Sequence, residues 1–173
     1  MDDITKQPLD WDTVYWEYMP RIFNYFCYRV GERALAEDLT ATTFVKAWKA
    51  RREYNPTKGA ISTWLLAIAR NTATDFFRRE RESLPLDLVR LPLDSDERPV
   101  EEALQVGQDF ERLSVLLSGL NSRERDLVAL KFGIGMTNRA IAKMTGMTES
   151  NVGTTLHRVV KSLRSAWEVA AHD

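Results

Sequence analysis

Apolar side chains recur along this chain every three or four positions, and no stretch alternates in strand register. Trp11, Tyr15, Tyr18, Ile22, Tyr25 and Phe26 predict a first helix over Trp11–Val30, stopped by Gly31. Ala41, Phe44, Val45 and Trp48 follow the i, i+3, i+4, i+7 spacing of one buried face and predict a second helix over about Ala34–Arg52. Asn55–Gly59 reads as a loop in which Pro56 fixes its own backbone and Gly59 allows a left-handed turn. A third helix, about Ala60–Arg81, aligns Ile61, Leu65, Ile68, Thr72 and Phe76 on one side. Its other sides carry Trp64, Arg70, Asn71, Asp75, Arg78 and Arg79.

The pattern breaks after Arg81. Pro85, Pro92 and Pro99 stand among acids, which favours an extended linker. Leu84, Leu86, Leu88, Leu91 and Leu93 are unusual for a free linker and would pack on this chain or on a partner. Helical spacing resumes over Glu101–Ser118. Asn121 and Glu124 have the spacing of a capping box, opening a helix to about Phe132 that Gly133 and Gly135 close. Thr137 caps a short helix, Asn138–Thr145, with Ala140, Ile141 and Met144 inward. Gly146 makes a turn, and Thr148 caps a last helix over Glu149–Ala170, whose core stripe is Val152, Leu156, Val159 and Leu163. The expected fold is all-α, with two small helical domains (8–82 and 101–170) joined by an acidic extended linker (83–100).

Charge sharpens this division. The net charge of −1 over 173 residues conceals blocks of opposite sign. Residues 40–81 carry nine bases against three acids, residues 82–111 nine acids against two bases, and residues 112–173 nine bases against five acids. Two basic blocks around an acidic strap suit two nucleic-acid-facing surfaces, although a charge run is also what an ordinary solvated face looks like. The single cysteine, Cys27, lies between Phe26 and Tyr28 and reads as a buried thiol. No apolar run approaches the ~20 residues of a membrane span, and the acidic, polar start is unlike a signal peptide, so the expectation is a cytoplasmic protein without membrane insertion.

Catalytic constellations are missing. Two histidines and one cysteine are too few for a Cys/His zinc site. Gly133 and Gly135 lack the Gly-Lys-Ser/Thr of a phosphate loop, and there is no Gly-x-Ser-x-Gly elbow. Glu37 and Asp38 read as a first-turn charge bias favouring the helix dipole rather than an acid–base pair. No catalytic residue, metal or cofactor is therefore expected, and function should lie in binding.

The last third has the order of a helix-turn-helix. Glu149, Ser150, Asn151, Thr154, Thr155 and Arg158 are positioned to read bases, and Arg139, Lys143 and Lys161 to hold phosphates. Gly153, costly inside a helix, would make sense where another group approaches closely. The plainer reading is a helical hairpin. Upstream, the loop Glu53–Gly59 lies beside Trp64 and a basic run ending at Arg81, a combination suited to unstacked or single-stranded bases. Trp64 taken alone reads more readily as core than as such a platform.

Three segments together resemble the extracytoplasmic-function sigma factors of bacterial RNA polymerase. Ala36–Trp48 (AEDLTATTFVKAW) is similar to sigma region 2.2. Asn55–Arg81 is similar to regions 2.3 and 2.4, and Leu120–Arg164 to region 4. The resemblance implies that Asp38, Leu39, Thr42, Phe44, Trp48 and Lys49 dock the polymerase core. It implies that Asn55, Lys58, Trp64, Arg70, Asn71, Asp75, Arg78 and Arg79 melt and read the minus-10 element. The final helix would read the minus-35 element, and the acidic linker would thread the polymerase channel that later holds RNA. An anti-sigma factor would cover these faces, with Phe44, Trp48 and the linker leucines as contacts. The chain departs from the family at Ala41-Thr42, where Gln-Glu is common, at Gly153 and Thr155, where basic residues are common, and at Asn121, where Pro is common. Two other readings remain at this point: a transcriptional regulator binding duplex DNA as a dimer, and a helical adaptor without a DNA role.

Overall fold

The computed structural model describes residues 10–83 and 101–170, so the linker, its leucines and His172 lie outside the described residues. All of the regular structure described is helical: α1 (Trp11–Val30), α2 (Arg33–Ala50), α3 (Ile61–Ser83), α4 (Glu101–Ser118), α5 (Ser122–Val128, continuing as a π-helical turn to Gly133), α6 (Asn138–Thr145) and α7 (Glu149–Ala170).

Capping chemistry sets most of these boundaries. The Asp10 carboxylate accepts from the Asp12 amide at the start of α1, and Gly31 ends that helix in the left-handed region at φ 73°. Asn121 and Glu124 close a reciprocal capping box on α5. Thr137 and Thr148 cap α6 and α7 with their hydroxyls. Gly146 turns between them at φ 71°. Two expectations give way. The first turn of α2 has no acid, because the helix starts at Arg33; Glu37 instead pairs with Arg33 one turn earlier. Gly59 is not among the glycines at positive φ. Its loop is held by side chains: the Asn55 side-chain amide oxygen (Oδ1) accepts from both the amide and the hydroxyl of Thr57, and the Tyr54 hydroxyl donates to the Gly59 carbonyl at 3.1 Å.

The buried face of α2 also differs from the one its apolar letters predict. Ala36, Leu39, Thr40, Thr43, Phe44 and Ala47 face the core, whereas Ala41 is exposed and Val45 and Trp48 are 53% and 49% exposed. Thr40 and Thr43 are tolerated inside because each hydroxyl donates to the carbonyl four residues earlier, Ala36 and Leu39. Val45 and Trp48 are thereby turned outward.

The two halves share one core. Tyr25 and Phe26 of α1 are fully buried together with Leu117, Leu127 and Leu130 of the second half. At the seam, a Cβ on Gly133 would lie 2.9 Å from the Asn24 carbonyl oxygen and from Tyr25 Cα, so only glycine lets the π-turn seat against α1. The Ser114 hydroxyl of α4 donates to the Gly31 carbonyl.

Candidate nucleic-acid interface

The terminal helices form the arrangement their caps promise. Ile141, Val152, Leu156 and Val159 pack α6 against α7, leaving Glu149, Ser150, Asn151, Thr154, Arg158 and Lys161 exposed on one side of α7. Thr155 is half-buried and its hydroxyl donates to the Asn151 amide oxygen at 3.3 Å; Thr154 donates to the Ser150 carbonyl. Arg139 and Lys143 are exposed on α6. Arg158 makes a 2.9 Å ion pair with Glu124, the capping-box acid of α5, so this guanidinium braces α7 on α5. Gly153 has a near neighbour that the sequence left unnamed: an added Cβ would meet the Asn138 side-chain amide nitrogen at 3.4 Å.

In the first half, the loop 55–59 is tied through the Tyr54 hydroxyl to a cluster of edge-on and tilted rings. Tyr54 lies 5.4 Å from Trp64, Trp64 lies 6.3 Å from Trp11, and Trp11 lies 5.7 Å from Trp48. Arg51 closes the far end of the cluster, its guanidinium 3.8 Å from the Trp48 ring centroid. Trp64 is therefore a half-buried support for the loop as well as a candidate platform. Lys58 and Asn71 are exposed, and Asn55 spends its side chain on the turn. Asp75 is shared between Lys46 of α2 at 3.4 Å and Arg78 at 3.2 Å, fixing that face of α3. Arg78 and Arg79 are exposed.

Arg70 stands apart. Its Nε and a terminal nitrogen both donate to Asp126 of α5, at 3.1 and 2.7 Å, and its other terminal nitrogen donates to the Met144 carbonyl of α6 at 3.2 Å. Burial works against the Arg70 charge, but hydrogen bonding to Asp126 and the charge of that carboxylate outweigh it and raise the pKa. Asp126 also accepts from the fully buried Tyr25 hydroxyl at 2.8 Å and lies 3.9 Å from Arg29. Burial, then the Asp126 charge, push the Tyr25 phenol upward. Nothing in the sequence singled out Tyr25, Arg29 or Asp126 as a cluster.

The residues expected to dock polymerase split. Leu39 and Phe44 are buried, Phe44 against Tyr15, because α2 packs on α1 through them. Asp38, Thr42 and Lys49 are exposed and share a stripe with Val45, beside Trp48. Trp16 of α1, at 70% exposure, and Tyr15 add large rings to the exposed apolar surface. No cluster of metal-ligating side chains occurs among the described residues, and no described helix is long and apolar enough to cross a membrane.

One chain thus carries a helix-turn-helix arrangement and a second basic, aromatic helical unit. The models for Sigma-70 region 2 and Sigma-70 region 4 match residues 14–83 and 110–163. The chain is 30% identical to the ECF RNA polymerase sigma factor BldN of Streptomyces coelicolor over 87% of its own length and 57% of that protein, so it spans little more than half of this relative. It is 28% identical to the ECF RNA polymerase sigma factor SigX of Bacillus subtilis, over 90% of this chain and 82% of that one. The sigma factor RpoE of Bartonella quintana, solved with the anti-sigma factor NepR, shares its fold with a TM-score of 0.71 at 17% identity, over 92% of this chain and 98% of that chain. The chain belongs to the sigma-70 family, among the extracytoplasmic-function sigma factors.

Proposed function

We propose that this protein gives polymerase core its promoter specificity in the cytoplasm through three surfaces. The exposed α2 stripe of Asp38, Thr42, Val45 and Lys49, with Trp48, docks the core enzyme. Leu39 and Phe44 shape that stripe from beneath. The loop Asn55–Gly59 and the α3 face carrying Trp64, Arg70, Asn71, Asp75, Arg78 and Arg79 melt and read the minus-10 element. Unstacking a base costs a few kcal/mol, offset by contacts to the captured base. The α7 face, Glu149 to Lys161, reads the minus-35 duplex, with Arg139, Lys143 and Lys161 on phosphates. An anti-sigma factor covers the α2 and promoter faces in the resting cell; the relative RpoE was solved with such a partner.

The observation that carries this reading is the side-by-side exposure of Ser150, Asn151 and Thr154 at the start of a capped helix in helix-turn-helix geometry. The test is run-off transcription with purified core enzyme on a promoter library. Asn71→Ala should relax preference within the minus-10 element. Asn151→Ala should relax it within the minus-35 element, each by the ~1–3 kcal/mol of one base contact. Trp48→Ala should weaken core binding while leaving the circular-dichroism spectrum intact. Full activity and unaltered preference in both asparagine variants would refute the site assignment.

A further inference from the structure

We propose that Thr155 is a positioning residue that holds the Asn151 side chain ready to read an adenine in the duplex that α7 enters. The inference rests on the proposed role of α7 as the minus-35 reader.

Thr155 departs from the habit of this chain. Thr40, Thr43, Thr72, Thr74, Thr145 and Thr154 each turn their hydroxyl back onto the carbonyl four residues earlier in the same helix. The Thr155 hydroxyl donates instead to the side-chain amide oxygen of Asn151, at 3.3 Å. Residues four apart are neighbours on a helix surface, so the spacing permits the contact. Thr155 is half-buried and β-branched, with few rotamers open to it, whereas Asn151 is exposed. The threonine is therefore the fixed partner and the asparagine the one that is held. Asn151 is also fixed at its backbone, where its amide donates to the Thr148 hydroxyl that caps α7, at 3.2 Å. An exposed amide at the start of a helix is thus anchored twice. The rotamer freedom that a base contact would have to freeze is already gone.

The chemistry of the held amide selects the base. Thr155 uses one lone pair of the amide oxygen; the second lone pair and the amide N–H donors serve a base. A side chain that sets an acceptor beside a donor matches adenine, whose N6 donates and whose N7 accepts in the major groove. Guanine shows two acceptors there, cytosine a donor, and thymine an acceptor beside its methyl. The neighbouring positions agree with this choice. Residues 149–157 hold no arginine or lysine, the side chains that commonly read guanine. Arg158, the first guanidinium beyond them, is engaged by Glu124 at 2.9 Å. Thr154 spends its hydroxyl proton on the Ser150 carbonyl at 2.9 Å, which leaves its methyl to meet that of a thymine. This face of α7 is built for A·T pairs.

The test is run-off transcription by the full chain with purified core polymerase on duplex promoters randomised across the minus-35 element. Asn151→Ala should lose a preference for adenine at one position. Thr155→Val keeps the shape and removes the hydroxyl; it should weaken the preference at that same position by about three- to tenfold, the scale of freezing one polar side chain. Thr155→Ser should restore it. Added to Asn151→Ala, Thr155→Val should change nothing further at that position. Replacing the adenine by 7-deazaadenine, which lacks the N7 acceptor, should weaken transcription by the unsubstituted protein and not by Asn151→Ala. If Asn151→Ala alters a minus-35 position and Thr155→Val either leaves it unchanged or lowers transcription equally on every sequence, the positioning role is overturned while α7 remains the reader. A shared position that prefers a G·C pair overturns the adenine assignment. No change at any minus-35 position in Asn151→Ala removes α7 from that element, and the proposal falls with it.

Discussion

Replacing Gly133 by alanine sets two effects of opposite sign against each other. Alanine in a helical turn is favoured over glycine by at most about 1 kcal/mol. The added Cβ, however, would lie 2.9 Å from the Asn24 carbonyl oxygen and Tyr25 Cα and 3.1 Å from the Asn24 carbonyl carbon. These are backbone atoms of a long helix and cannot swing aside as a side-chain tip can. Ordinary contact between such atoms is about 3.5–4.0 Å, so the π-turn and α1 must part by roughly half an ångström or more. Overpacking of this kind costs about 1–3 kcal/mol. The expected net effect, after a helix gain of about 1 kcal/mol is subtracted, is a destabilisation of up to about 2 kcal/mol. Gly153→Ala is the matched control. Its Cβ meets only the end of the Asn138 side chain, at 3.4 Å, and the helix gain should prevail at about 0.5–1 kcal/mol of stabilisation. Urea denaturation of the full chain, followed by far-UV ellipticity, reads both. With slopes of about 1–3 kcal/mol per molar, the two midpoints should move apart by roughly 1 M. If Gly133→Ala is as stable as Gly153→Ala, α1 does not seat on this turn and the shared core is wrong.

Two further outcomes follow from single groups. Asn121→Ala removes one half of a capping box whose other half, Glu124, also holds Arg158, and should cost about 1 kcal/mol in the same denaturation assay; no loss would mean that the α5 cap is idle. Burial raises the Cys27 thiol from 9.0 to about 11, so above pH 9 the unfolded chain holds fewer protons than the folded one. Stability should then fall with rising pH between about 9 and 11, at up to roughly 1.4 kcal/mol per pH unit for this proton, and Cys27→Ala should flatten that limb.

The helix limits were legible because they rest on local chemistry. Gly31, Asn121, Thr137, Gly146 and Thr148 each cap or turn the backbone within a few residues of their own position. The buried side of α2 was not legible, since Thr40 and Thr43 satisfy their hydroxyls along their own helix and so occupy core positions that apolar periodicity assigns elsewhere. The π-turn escaped for a related reason: the Ile134 amide reaches back five residues to Ala129, shifting the face by a step that no 3.6-residue pattern contains. The seam was least legible of all. Tyr25 and Asp126 are separated by 101 positions, and one aspartate in a basic block carries no sign of its partners. On α7 the buried Val152, Leu156 and Val159, with Leu163 partly covered, leave Glu149, Ser150, Asn151, Thr154, Arg158 and Lys161 outward as their spacing predicts, whereas Thr155 is half-buried.

The ring cluster beside the loop gives the protein a built-in optical reporter. Four of its five tryptophans, Trp11, Trp16, Trp48 and Trp64, lie in the first half, and Trp167 stands alone in the second. Trp48, about half open to solvent beside Arg51, lies 5.7 Å from Trp11, which lies 6.3 Å from Trp64, so the three rings share their excitation. Anything that settles on α2 displaces water from the Trp48 ring and shifts the spectrum to the blue. Occupancy of this surface is therefore visible in unlabelled protein, by its own fluorescence.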